Sequence, residues 1–186
     1  PTKPYGAVKP YRVSGRTAII AVQGSLVNRG AWIGSYSGMT SYEGIRHQLG
    51  YAKTDADIDS VILDVDSPGG EAIGAFETGV EVAALNKVKP VVAYVNGLAC
   101  SAAYAIACRA GQIVVSPTSV VGSIGVVMMH VDQSKYMREL GVKPTFIYAG
   151  EHKVDANPFE PLSDDVKKAL QADVDTLYTL FVDHVA

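Results

Sequence analysis

The sequence predicts an α/β protein, built from parallel βαβ units with helices covering the sheet, and three observations predict it. Short apolar runs recur at residues 61–65, 91–95 and 113–115. The stretches between them, 71–85 and 101–108, have helical length and pattern, which is how a sheet buried on both faces is written in sequence. With 48% hydrophobic and 19% charged residues among 186, the chain has enough apolar surface for one sizeable core.

Taken in order, residues 1–16 are rich in Pro, Lys and Gly without a period and are expected to form a flexible leader, leaving 17–186 as a single domain. Residues 17–22 read as a buried strand, and 24–40 as a Gly/Ser-rich loop holding the only tryptophan, Trp32. Ser41 is placed to cap a helix running to about Lys53. After the alternation at 61–115, residues 122–129 are a further strand candidate, 133–140 a helix closed by Gly141, and 145–148 a strand. The last element is a helix capped by Ser163, with Asp164 and Asp165 in its first turn. Its apolar stripe of Val166, Leu170, Val174, Leu177, Phe181 and Val185 needs a partner, either this sheet or another subunit.

A net charge of -3 with mixed signs gives no basis for docking on nucleic acid or on an acidic membrane. No apolar run approaches the roughly 20 residues of a membrane span, and no signal peptide is legible. Cys100 and Cys108 on one helix would stand about 12 Å apart along its axis, too far for a disulfide, so both are expected reduced in a cytoplasmic setting. The chain opens without Met and stops inside a helical pattern, so a fragment of a longer protein is expected. No His/Cys/carboxylate cluster has ligand spacing, and neither metal nor organic cofactor is implied.

Two strand-to-helix junctions could carry chemistry. Asp66-Ser67-Pro68-Gly69-Gly70 is explained by a tight turn, or by glycine amides aimed at a developing oxyanion. At the second junction Ser101 follows the strand at 91–95, flanked by Ala99, Cys100, Ala102 and Ala103, which leave room for a substrate backbone. It would serve as a helix cap or as a nucleophile, and as a nucleophile it needs a base. His47, His130 and His184 are adequately explained as surface or structural residues, and Cys100 as a small buried cysteine. The polar loop "YAGEHKVDANPFEPLS" leaves two arrangements open: a Ser101–His152–Asp155 triad, or a Ser101–Lys153 dyad with a lysine neutralised by burial.

Four motifs in order, "DSPGG" at 66–70, "ACSAAY" at 99–104, "GSIGV" at 122–126 and "HKVDANPF" at 152–159, resemble the signal peptide peptidase A family of serine–lysine peptidases, family S49. The stretch "LVNRGAWIGSYSGMTSYEGI" at 26–45 gives the resemblance a phage or prophage capsid-assembly character. The resemblance implies a Clp/crotonase-like fold and a serine endopeptidase cutting unfolded or extended polypeptide at small or apolar residues. It implies Ser101 as nucleophile, Lys153 as base, Ser123 as the hydroxyl orienting the lysine, and Gly69 or Gly70 with the Ala102 amide as the oxyanion hole. Clp-type proteases carry a histidine where this chain reads Gly122-Ser123-Ile124-Gly125, which favours the dyad. Ala102 and Ala103 replace the Gly-Gly common in the bacterial membrane enzymes, which narrows the expected pocket. Also implied are a homo-oligomer, possible sharing of active sites, and phage scaffold or capsid proteins as substrates in the host cytoplasm or procapsid. The rival readings are a catalytically silent procapsid module and a crotonase-like acyl-CoA enzyme, for which Glu71 is the nearest carboxylate.

Overall fold

Burial alternates along the strands, and the register lines the buried side chains into rows. In the computed structural model, which describes residues 9–30 and 38–186, the first elements are β1 (Arg12–Ser14), β2 (Thr17–Val27), β3 (Met39–Ser41), α1 (Tyr42–Thr54) and β4 (Ser60–Gly70). They are followed by α2 (Ala75–Asn86), β5 (Val91–Cys100), α3 (Ala102–Ala107), β6 (Gln112–Val115) and β7 (Val120–Gly122). The chain ends with α4 (Ser134–Glu139) and α5 (Asp164–Val185). The sheet runs β1-β2-β4-β5-β6, with β3 beside β2 and β7 beside β5. All pairings are parallel except β1 with β2.

Across β2, β4 and β5 the rungs Ala18–Val61–Val91, Ile20–Leu63–Ala93 and Val22–Val65–Val95 put nine buried side chains on one face. Helices α1, α2 and α3 pack against that face through Ile45, Leu49, Val82, Leu85 and Ile106. Each such side chain contributes about 1.5–3 kcal/mol through its burial. The opposite face, carrying Ile19, Ile62, Asp64 and Tyr94, is half-buried to exposed, so α1–α3 cover one side of the sheet rather than both. Helix α1 begins as expected: the Ser41 hydroxyl accepts from the Gly44 amide at 3.1 Å.

The chain divides into two compact units, Pro1–Gly125 with Phe181–Ala186, and Val126–Leu180. In the first, Phe181 stacks edge-on against Phe76, and His184 Nε2 donates to the Ala105 carbonyl at 2.8 Å. In the second, Leu170 and Val174 of the α5 stripe line a cavity of about 220 Å³ with Met128, Met129 and Leu162. The Ser163 hydroxyl caps α5, accepting from Val166 at 3.3 Å. Among the described residues, the second unit contains no strand. The expected strands at 122–129 and 145–148 are therefore absent beyond Gly122. Their sequences favour strands, but a strand forms only when a neighbour takes its hydrogen bonds; Val127 and Ile147 are 90% and 98% exposed.

Two further expectations change. The Gly/Ser-rich loop at 24–40 is largely strand at its ends, in β2 and β3, and Trp32 lies outside the described residues. The fold also begins before Thr17, although residues 1–8 lie outside the description. Tyr11 is buried and β1 closes a hairpin onto β2. Lys9 and Tyr11 both reach the Asp55 carboxylate at 2.8 Å, Arg16 pairs with Asp59, and Lys89 donates to the Ala52 and Asp55 carbonyls that end α1. Periodicity could not reveal this segment because it is held by ion pairs, one buried tyrosine and a short hairpin rather than by a repeating apolar pattern.

This cluster sets an acid limit on stability. The Lys9 ammonium, and then the Tyr11 hydroxyl, hold the Asp55 carboxyl down at about 2. Its folded value is below its unfolded one, so its stabilisation is complete above the ordinary carboxylate range and is lost as pH falls through about 2. Asp55→Asn is expected to be less stable than wild type at neutral pH, with the difference closing below roughly pH 4, as read from denaturant midpoints across pH.

Candidate active site

Strands β4 and β5 both run further than their apolar cores, and this overrun builds the site. Ladder pairing continues past the irregularity at Val65/Ser67 on the β5 side, through Ser67–Ala99, and past that at Gln23/Ser25 on the β2 side, through Ser25–Gly69 and Leu26–Gly70. "DSPGG" is thus the end of a central strand and not a tight turn. The Asp66 carboxylate accepts from the Leu98 amide at 3.0 Å, tying the two overruns together.

Ser101 stands at the end of β5 with φ 52° and ψ -124°. This is the conformation of the first central residue of a type II′ turn, normally reserved for glycine, and for serine it stores about 1–3 kcal/mol. A helix cap has extended backbone and uses its side chain. Ser101 has neither: its hydroxyl makes no capping bond to α3. Two backbone bonds hold the strained residue, from its own amide to the Gly122 carbonyl at 2.8 Å and from the Ala105 amide to its carbonyl at 3.0 Å.

Strand β7 pairs with the overrun of β5 through Leu98–Val120, Ala99–Val121 and Cys100–Gly122. Ser101 and Ser123 are therefore the residues that follow the same rung, and Ser123 also has positive φ, at 54°. From the other side comes Gly69, at φ 106°, a backbone conformation that favours glycine. A Cβ there would lie 2.7 Å from the Ser101 Cβ, 2.8 Å from the Cys100 carbonyl oxygen and 3.1 Å from the Ala102 nitrogen. At Gly70 a Cβ would instead collide with the Leu26 backbone. Ala99, Ala102 and Ala103 are buried around the serine. As the first residue of α3, Ala102 presents an amide with no acceptor within the helix.

The first unit thus brings together Ser101, Ser123, Gly69, Gly70 and Ala102. Lys153 belongs to the second unit, exposed in the turns that follow Gly150, where its amide donates to the Gly150 carbonyl at 3.2 Å. In the same turns His152 Nδ1 and an Asp155 oxygen are 2.9 Å apart, with the imidazole 79% exposed. His130 Nε2 is bonded to the Asn157 carbonyl, and His47 is exposed. Burial lowers the pKa of His184, whose ring meets Phe76 and the Ala105 carbonyl. The Cys100 sulfur faces the Val120 carbonyl at 3.7 Å, and burial pushes the Cys108 thiol up. Glu71, the carboxylate required by the acyl-CoA alternative, accepts from the Asn28 amide at 2.7 Å, so one oxygen already has a structural bond.

Ser67 is the residue that sequence reasoning missed. Completely buried, it donates to the Gly24 carbonyl at 2.6 Å and accepts from the Gly69 amide at 3.1 Å. Its signal was present in "DSPGG", where a serine inside an extended strand has no turn to form.

The model of the family described as peptidase family S49 matches residues 83–186. The chain is 42% identical over 176 residues to the head-tail preconnector protein GP5 of Enterobacteria phage P21, covering 95% of this chain and 35% of that protein. It is 39% identical over 178 residues to the capsid assembly protease C of Escherichia phage lambda, covering 96% of this chain and 40% of that protein. The chain therefore spans two-fifths or less of these curated relatives. Among solved structures, the 1510-N membrane-bound stomatin-specific protease, solved as a point mutant, aligns with 94% of this chain and 72% of its own at 16% identity, TM-score 0.47. Among the described residues no helix is long and apolar enough to cross a membrane. By the family match across more than half its length, which includes Ser101, Ser123 and Lys153, the chain belongs to peptidase family S49.

Proposed function

We propose that this chain is the catalytic part of a serine endopeptidase with a Ser101–Lys153 dyad. The observation that carries the reading is Ser101 itself, a non-glycine residue in a glycine conformation, its hydroxyl unused as a cap, with Gly69 and Ala102 against it. Strain of this kind is maintained where a side chain must be presented at a fixed angle.

In the acylation step the Lys153 amine takes the Ser101 hydroxyl proton as the oxygen adds to the scissile carbonyl. The resulting oxyanion is held by the Ala102 amide and the Gly70 amide, because the Gly69 amide is already engaged by Ser67. The lysine ammonium then returns the proton to the departing amine as the C–N bond breaks, leaving an ester on Ser101. Water adds to the ester carbonyl and gives its proton to the lysine, which returns it to the Ser101 oxygen as the C–O bond breaks. The Ser123 hydroxyl orients the ammonium between these transfers. No metal or organic cofactor takes part in this scheme.

The substrate is an extended polypeptide cut at small or apolar residues, as the resemblance to the serine–lysine peptidases implies, and the residues next to Ser101 in the chain, Ala99, Ala102 and Ala103, are small and buried. The names of the two phage relatives point to a scaffold or capsid protein as that substrate. The site of action is then the host cytoplasm or procapsid. Exposed apolar residues such as Val127, Met129 and Ile147 support a homo-oligomer.

The test is cleavage of an unfolded protein by wild type, Lys153→Ala and His152→Ala, with assembly state recorded. Lys153→Ala is expected to lose turnover by on the order of 10⁴-fold while His152→Ala keeps it. The reverse pattern would establish the His152–Asp155 triad, and an assembled but silent wild type would establish a structural module.

A further inference from the structure

We propose that Ser67 is a positioning residue for the oxyanion donor, acting through Gly69; this rests on the reading of Ser101 as nucleophile. Its hydroxyl has one proton, and at 2.6 Å from the Gly24 carbonyl that proton is committed. The oxygen is then an acceptor, and the Gly69 amide supplies its bond at 3.1 Å. The direction of the relay is fixed, from Gly69 to Ser67 to Gly24.

The relay sits where both ladders are irregular. Register shifts between Gln23 and Ser25 on the β2 side, and between Val65 and Ser67 on the β5 side. Backbone rungs that would ordinarily hold β4 straight are disrupted there. A fully buried side chain takes over one of them. Fixing the Gly69 amide fixes the peptide plane before Gly69, and Gly69 is the residue in contact range of Ser101 and Ala102. With that plane held and Gly69 at φ 106°, the next peptide, which carries the Gly70 amide assigned to the oxyanion, starts from a fixed point. An oxyanion hole accelerates a reaction because its donors are aimed before charge develops. Ser67 does the aiming without touching substrate.

A hydroxyl that merely satisfies two buried groups would affect stability and leave chemistry alone, so the test separates the two. Ser67→Ala, Ser67→Cys and Ser67→Thr are compared with wild type for kcat and KM on a peptide amide, for inhibition by a peptide boronate, and for thermal unfolding. The boronate forms a tetrahedral adduct on a serine oxygen and places an oxygen where the oxyanion develops. Ser67→Ala is expected to lower kcat by on the order of 10- to 100-fold with KM nearly unchanged, and to weaken the boronate by a similar factor. Ser67→Thr, which keeps the hydroxyl, is expected to recover most of both. Should Ser67→Ala not fold, Ser67→Cys, a near match in shape but a weak acceptor, carries the same expected defect. The proposal is overturned if the folded variants lose melting temperature but keep kcat and boronate affinity, or if Ser67→Thr is as defective as Ser67→Ala. A wild type that neither cleaves nor binds boronate overturns the nucleophile reading itself, which is a different failure.

Discussion

Ser101→Ala is expected to remove turnover by on the order of 10⁴-fold or more, and Ser101→Gly to remove it equally while making the protein more stable. Both variants delete the hydroxyl oxygen that the proposed mechanism esterifies. They differ in backbone. Alanine keeps a Cβ in the conformation at φ 52° and ψ -124°, so the strain stays. Glycine adopts that conformation freely, and after its larger unfolded-state entropy is subtracted the net gain is about 1 kcal/mol. Peptide hydrolysis and denaturant midpoints for the three proteins check this together. Equal stability of Ser101→Ala and Ser101→Gly would mean the strain is absent, and residual cleavage near the wild-type rate in either would remove Ser101 from the chemistry. A stabilising substitution that abolishes activity is the expected signature of a residue held in place for function.

The same residue shows what the sequence could convey. An isolated serine between a strand and a run of alanines marked the junction, because the small residues and the change of period are local features. Ser101's positive φ is not local. It follows from β7 docking beside β5 and from the Gly122 carbonyl taking the Ser101 amide, a contact between residues 21 apart. Likewise a tight turn was one of two readings open for "DSPGG", since proline and glycine are the usual turn residues and only the flanking strands β2 and β5 keep it extended. Helix α5 was legible almost to the residue through its cap and its stripe. The strands expected at 122–129 and 145–148 were not, because apolar sequence states a preference for pairing and cannot supply the neighbour. Ser67 was hidden for a related reason: its two partners, Gly24 and Gly69, come together only when β2 and β4 are side by side.

Gly69→Ala is expected to lose activity and to destabilise the first unit by roughly 2–5 kcal/mol, combining a methyl forced into a left-handed backbone with an overpacked contact. At 2.7 Å from the Ser101 Cβ and 2.8 Å from the Cys100 carbonyl, the added carbon must push the junction of β5 and α3 away from β4. Because one of the two obstructing atoms belongs to the Ser101 side chain, removing it relieves part of the strain. Gly69→Ala combined with Ser101→Gly is therefore expected to be more stable than the sum of the single changes by on the order of 1 kcal/mol, read from denaturant midpoints. Gly74→Ala supplies the control. It too lies at positive φ, 93°, but its Cβ would meet Asn28 and Tyr42 and not Ser101. Combined with Ser101→Gly it is expected to be additive. Coupling at Gly69 with additivity at Gly74 would locate the glycine of β4 against Ser101 without any measurement of catalysis. Additivity at both would separate Gly69 from Ser101, and with it remove the path by which Ser67 reaches the site.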